Sequence, residues 1–203
     1  MSALTGAQLG LMTGSFLSGC LLSIPLLTIP TIISPSSSPT APILLSSWST
    51  LYHHGALTIP PLAFLTASLY GLSAYKLRSS ATPSSSSSSR TQKQTQTQTQ
   101  QRKNEKRSKL FAIAAIATLA IGPLTLLVLT PTNKELMRLN EIQIEPGPLV
   151  SDVEEVRELV RRWNWLHVVR SLGPVVGCVV GWLGVFGYGD EEKGEEKVEG
   201  EKQ

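Results

Sequence analysis

The sequence predicts an all-α protein: a four-helix transmembrane bundle with one amphipathic helix outside the membrane leading into the last span. Three charge-free runs carry that prediction. Met1 to Tyr75 contain no Asp, Glu, Lys or Arg, Leu110 to Asn133 contain none, and Ser171 to Gly189 contain none. A helix rises ~1.5 Å per residue and a bilayer core is ~30 Å thick, so the first run is long enough for two crossings and each of the others for one. The four spans are expected near residues 4–33, 55–77, 109–130 and 168–189.

Leu4 to Ile33 reads as the first span, with Gly10, Gly14, Ser18 and Gly19 at spacings that let a neighbouring helix approach closely. No positive segment precedes it, so it is expected to stay as an anchor rather than be cleaved. Pro30 and Pro35 end it, and Ser34 to Pro42 forms an uncharged Ser/Pro connection. Trp48, Tyr52, His53 and His54 then mark a membrane interface, where amphipathic rings concentrate, and the second span follows from Gly55 to about Leu77, kinked at Pro60 and Pro61. Residues 78–108 carry six consecutive serines, alternating Thr and Gln, and a basic cluster. With so little to bury, this loop is expected to be disordered.

The third span ends where Pro131 removes a backbone donor, which places Asn133 at the water boundary. Pro146-Gly147-Pro148 breaks any helix that follows. Ser151-Asp152-Val153-Glu154 then fits a capping box opening an amphipathic helix over residues 151–167. Val153, Val156, Val160, Trp163, His167 and Arg170 share one face of it; Glu154, Glu155, Glu158, Arg161 and Arg162 lie mostly on the other. Gly173-Pro174 predicts a bend near the start of the fourth span, and the acidic tail 190–203 is expected to be disordered.

The net charge of +3 is a sum over compartments. Lys76 to Lys109 hold nine Lys/Arg against one acidic residue, Glu105, whereas Lys134 to Arg170 hold six. Basic loops favour the cytoplasmic side, so the 78–108 loop and both termini are expected in the cytosol, in an endomembrane. The basic residues stand beside membrane segments without interleaved aromatics, which argues for a lipid partner and against nucleic acid. Cys20 and Cys178 are isolated in apolar segments, so neither a redox pair nor a zinc site is expected. No ionisable residue falls within the interior of a span to mark an ion path.

Four antiparallel spans bring the end of the first, the start of the second, the end of the third and the start of the fourth to one membrane face. That face gathers Trp48, Tyr52, His53, Thr132, Asn133, Trp163, His167 and Arg170. Two readings stay open: a catalytic site, or a non-catalytic bundle whose ends these residues pin.

Thr130-Pro131-Thr132-Asn133-x-x-Leu136 after a third span, then Trp163 and Arg170 before a fourth, resembles the anthrone oxygenase-like family of small integral membrane proteins. Trp48, Tyr52, Gly55 and Pro60, and the Pro123-x-Thr125 of the third span, resemble further parts of its pattern; His167 stands where that pattern suggests Asn. The resemblance implies oxidation of a flat polycyclic anthrone, an aromatic polyketide, by dioxygen to the quinone without metal or other cofactor. In the roles so implied, His167 or His53 serves as base, Arg170 and Asn133 meet the enolate oxygen, Trp163 with Trp48 forms the aromatic slot, and Tyr52 and Thr132 complete the substrate-binding set. His53 and His54 are adjacent, so on a helix they point about 100° apart and cannot share a metal.

Overall fold

The computed structural model describes residues 2–34, 40–80, 91–144 and 152–187, and among them it is helical throughout. Helix α1, Ala3–Ser23, starts where the Ser2 hydroxyl accepts from the Thr5 N–H at 3.0 Å. It runs through a π turn, Ile24–Thr28, into α2, Ile29–Ile32. Helix α3 spans Ala41–Ser80; α4 (Thr91–Leu119), α5 (Ile121–Leu124), a second π turn (Thr125–Leu129) and α6 (Thr130–Ile144) follow one another; α7 spans Val153–Phe186. Four stretches are long and apolar enough to cross a membrane: Ala3–Ile32, Ala41–Ser80, Gln98–Ile142 and Val153–Phe186. Large apolar side chains such as Phe64, Ile116 and Leu127 stand exposed around the bundle, as a lipid-facing surface requires. The protein is therefore a multi-pass membrane protein.

The four long elements close a ring: α1 packs on α3 and α7, and α4 packs on the same two helices. One end of the bundle is filled by large side chains including Leu44, Leu45, Trp48, Leu136, Val160 and Trp163. The other end is filled by Ala7, Ala67, Ala74 and Ala114 around the stacked rings of Tyr70 and Phe111. Leu17, Leu21, Ile59, Ala63 and Ile121 join the two.

Several boundaries differ from the sequence reading, each for an identifiable reason. Pro131 does not end the third helix. The Thr130 N–H closes the π turn onto the Thr125 carbonyl, so Pro131 falls at the second residue of α6, where a missing donor is tolerated, and the helix continues to Ile144. Asn133 is consequently buried, 6% exposed, rather than at a water boundary. Residues 91–108, expected to be disordered, form the first turns of α4. Their Gln, Lys and Arg are good helix formers, Lys109 pairs with Glu105 one turn back at 2.8 Å, and the buried Ser108 hydroxyl donates to the Ala74 carbonyl of α3 at 2.8 Å. Residues 81–90 of that loop, and the tail 190–203, lie outside the described residues.

Helix α3 begins well before Gly55, so Trp48, Tyr52, His53 and His54 are helical rather than part of a loop. The amphipathic segment and the fourth span form one continuous helix, α7, which passes through Pro174. Its N-cap is Asp152, whose carboxylate accepts from the Glu154 N–H at 3.3 Å; the Glu154 side chain turns to Arg157 and Arg161 instead of completing a box. Ser151 lies outside the described residues.

Candidate functional site

The two π turns have related sequences, Ile24-Pro25-Leu26-Leu27-Thr28-Ile29-Pro30 and Thr125-Leu126-Leu127-Val128-Leu129-Thr130-Pro131, and α7 packs against both. In the first, Ile29 donates to the Ile24 carbonyl, and Pro30 has no N–H to offer the next carbonyl, that of Pro25. Asn164 of α7 fills that gap, its Nδ2 donating to the Pro25 oxygen at 3.4 Å. In the second, the Thr125 hydroxyl donates to the Ile121 carbonyl at 2.6 Å and accepts from Arg170 Nη1 of α7 at 3.3 Å. The π turns thus aim polar groups inward at a depth where a regular α-helix would have consumed them.

Around the second π turn lies a cavity of about 320 Å³. Its walls are mostly apolar: Leu51, Gly55, Ala56, Ile59 and Pro60 from α3, Ile121 and Gly122 from α5, Leu126 and Leu129 from the π turn. Tyr52, Thr125, Asn133, Trp163, His167 and Arg170 supply the polar part of the lining.

These polar side chains hold one another. Trp163 donates from Nε1 to Asn133 Oδ1 at 2.8 Å, a buried bond that leaves the amide NH2 of Asn133 as the end able to donate further. Arg170 Nη2 lies 3.1 Å from His167 Nδ1. A guanidinium only donates, so Nδ1 accepts, and the ring proton of the imidazole sits on Nε2. Among the described residues, that Nε2 makes no hydrogen bond of good geometry, although the Leu21 backbone of α1 is a polar neighbour of the imidazole, and Nε of Arg170 is likewise buried without a partner. The rings of Trp163 and His167 lie 4.8 Å apart, Trp48 meets Trp163 edge-on at 5.9 Å, and Trp48 stacks on Tyr52 at 5.3 Å. The Thr125 hydroxyl proton is taken by Ile121, but Asn133, His167 and Arg170 bring N–H groups to the lining, which suits the cavity to an apolar molecule carrying one developing negative oxygen.

Of the residues singled out from sequence, Tyr52, Asn133, Trp163, His167 and Arg170 line this cavity. Trp48 does not; it is fully buried behind Tyr52 and Trp163 and sets their positions. Thr132 is buried away from the lining. His53 is exposed and outside the lining, its ring meeting that of Tyr52 in a T-shaped contact at 5.8 Å, and His54 is exposed as well. Thr125 and Asn164 acquire roles only in the structure; the sequence signal for Thr125 is Pro131 six residues on within the same span, and Asn164 carries no such signal. A second recess, lined by Tyr52, Thr130, Asn133, Lys134, Met137, Arg138 and Glu141, shares Tyr52 and Asn133 with the cavity.

Fold and site together define a small four-span membrane protein with a donor-lined apolar cavity. The chain belongs to the anthrone oxygenase family, whose model matches residues 48–180. It is 31% identical to anthrone oxygenase AgnL2 of Paecilomyces divaricatus, over 91% of this chain and 97% of that protein. It is 32% identical to anthrone oxygenase nsrD of Aspergillus novofumigatus, over 85% and 88%, and 30% identical to noranthrone monooxygenase of Aspergillus flavus, over 87% and 71%. No solved structure matches it.

Proposed function

We propose that this protein oxidises a polycyclic anthrone to the anthraquinone with dioxygen, in a fungal-type polyketide pathway. The observation that carries the reading is the cavity itself, apolar on its walls and donor-lined by Asn133, His167 and Arg170 at one corner. Its volume of about 320 Å³ suits a compact ligand, at the lower end of the roughly 300–1,000 Å³ typical of small-molecule sites. The names of the relatives agree with such a substrate.

In this mechanism the carbonyl oxygen of the anthrone faces Arg170 and His167 Nε2–H, and the rings lie against Trp163 and Tyr52. Donors fixed in a low-dielectric site stabilise charge far better than water does, so the enolate forms more readily and its methylene carbon becomes the nucleophile. The lost proton passes to water on the side of Tyr52 and Asn133, where the second recess begins. The carbanion reacts with dioxygen; one oxygen atom becomes the new carbonyl, and the other leaves with two hydrogens as water. His167 acts here as a donor, because its Nδ1 is taken by Arg170. Asn133, held by Trp163, positions the ring edge, and Thr125 positions Arg170.

The protein is placed in an endomembrane with both termini cytosolic, on the strength of the nine Lys/Arg between Lys76 and Lys109. Protease added to sealed vesicles tests this: cleavage of the basic 78–108 loop from the lumenal side would reverse the orientation. Conversion of anthrone to anthraquinone under oxygen, in membranes containing the protein and corrected for autoxidation, tests the reaction. No turnover above background across several anthrones would reject it.

A further inference from the structure

The cavity has an opening whose position follows from helix packing. Helix α3 packs closely on α4 and again on α6, but between those contacts it makes no comparable contact with α5 or the second π turn. The cavity lies at that gap. Its edges are Gly55, Ala56 and Pro60 on α3 and Gly122 and Leu126 on the facing span. Ala56, Pro60, Gly122 and Leu126 are all exposed, Leu126 to 72%, while Ile59 and Leu129 behind them are buried. Among the described residues, and apart from their own turns of helix, nothing lies within 4 Å of where a Cβ would stand on Gly55 or Gly122, so both glycines border open space. Leu57 and Leu127, next to the gap in sequence, are 75% and 79% exposed, which places the opening in an apolar surface. The gap therefore meets acyl chains rather than water.

We propose that ligand reaches the cavity sideways from the bilayer, through a slot between α3 and the α5–π-turn segment whose width is set by the missing side chains of Gly55 and Gly122. The ligand class this selects is a flat, fused-ring molecule already dissolved in the membrane. A sheet of aromatic rings passes edge-on between two helices that a branched or globular solute would have to separate. Arg170 and His167 line the cavity from α7, which borders neither side of the slot, so a molecule travelling in this way is drawn in oxygen first. This inference rests on the reading of the cavity as the place where an anthrone is oxidised.

The test measures binding, so that it does not depend on turnover. The full chain in lipid nanodiscs is mixed with anthraquinone, and quenching of tryptophan fluorescence gives association and dissociation rates. A residue that narrows a passage slows both directions alike, whereas one that fills the cavity weakens affinity. For Gly122→Phe and for Gly55→Phe both rate constants are expected to fall by about tenfold or more, with Kd changed by no more than about threefold. Gly71→Phe, at another α3 glycine that borders open space but does not line the cavity, is expected to leave all three values unchanged. Unchanged rates in the two slot variants, an equal slowing in Gly71→Phe, or a raised Kd with normal dissociation would each overturn the slot. So would the absence of saturable anthraquinone binding to the unaltered chain. Gated binding without any anthrone turnover would keep the slot and reject the oxidation.

Discussion

Glycine does opposite things at the two ends of this bundle. On the fourth span Gly177, Gly181 and Gly184 are spaced four and three apart and face neighbouring helices so closely that no side chain fits. A Cβ on Gly184 would stand 2.5 Å from Phe111 Cε1, one on Gly177 2.6 Å from Thr118 Oγ1, and one on Gly181 would run into the Tyr70 ring. At the cavity end, Gly55 and Gly122 have nothing in front of them. Small residues at helix interfaces in membranes exist to bring backbones together, since lipid provides no hydrophobic drive for helices to associate. The first set follows that rule and makes a rigid seam. The second set departs from it, and among the described residues the departure coincides with a stretch of α3 that has no close neighbour in α5 or the second π turn.

The largest expected effect is at the seam. Gly181→Leu should prevent accumulation of the folded protein, and Gly181→Ala should destabilise it by about 1–3 kcal/mol, because Tyr70 is fully buried against Phe111 and has no room to retreat. Thermal unfolding of the detergent-solubilised protein measures this, and an unchanged midpoint for Gly181→Ala would mean that the seam is looser than the close approach implies.

Next comes chemistry at the open end. Arg170→Ala should lower kcat for anthrone by roughly a hundredfold or more, the scale on which a site loses one oxyanion donor. His54→Ala, exposed and outside the cavity, should leave it unchanged when the two variants are compared at matched protein levels. Equal activities would remove Arg170 from the mechanism, and failure of the Arg170 variant to accumulate would make it a structural residue.

A smaller effect links the two ends of the comparison. Trp163→Phe keeps the aromatic wall but deletes the N–H that satisfies the buried Asn133 Oδ1, so a loss of about 1–3 kcal/mol in stability is expected. The double variant with Asn133→Leu should recover part of that loss, since an apolar pair leaves nothing unsatisfied. Non-recovery would show that the bond is not what the tryptophan contributes. Smallest of all is Gly122→Ala. Open space lies ahead of it, but Pro123 follows and disfavours a helical residue with a Cβ before it, which offsets the roughly 0.5–1 kcal/mol that alanine gains over glycine within a helix, so the melting temperature should move little.

How much of this was written in the amino-acid order depends on the range over which each residue acts. Four spans, and a fully helical bundle, follow from three uncharged runs, because in a bilayer a continuous apolar run this long satisfies its backbone as a helix, whereas barrel strands are short and alternate. The cluster of Tyr52, Asn133, Trp163, His167 and Arg170 follows from antiparallel connection of those spans, which is a matter of counting crossings. Local signals misled wherever a helix could compensate for them. Pro131 looks like a stop, but a π turn before it absorbs the missing donor; residues 91–108 look too polar to order, but their backbone bonds are made within the helix, and Ser108 ties them to α3.

Tertiary structure alone decided which polar atoms remain available. His167 can be a base or a donor by its chemistry, and it is Arg170 at its Nδ1 that makes it a donor. Histidines 53, 54 and 167 are alike in sequence, yet only the last turns inward, because the rotation of α3 and α7 about their axes is set by packing between helices. For the same reason the glycines of the seam and of the slot cannot be told apart by residue type: a missing side chain acquires its meaning from what stands opposite it.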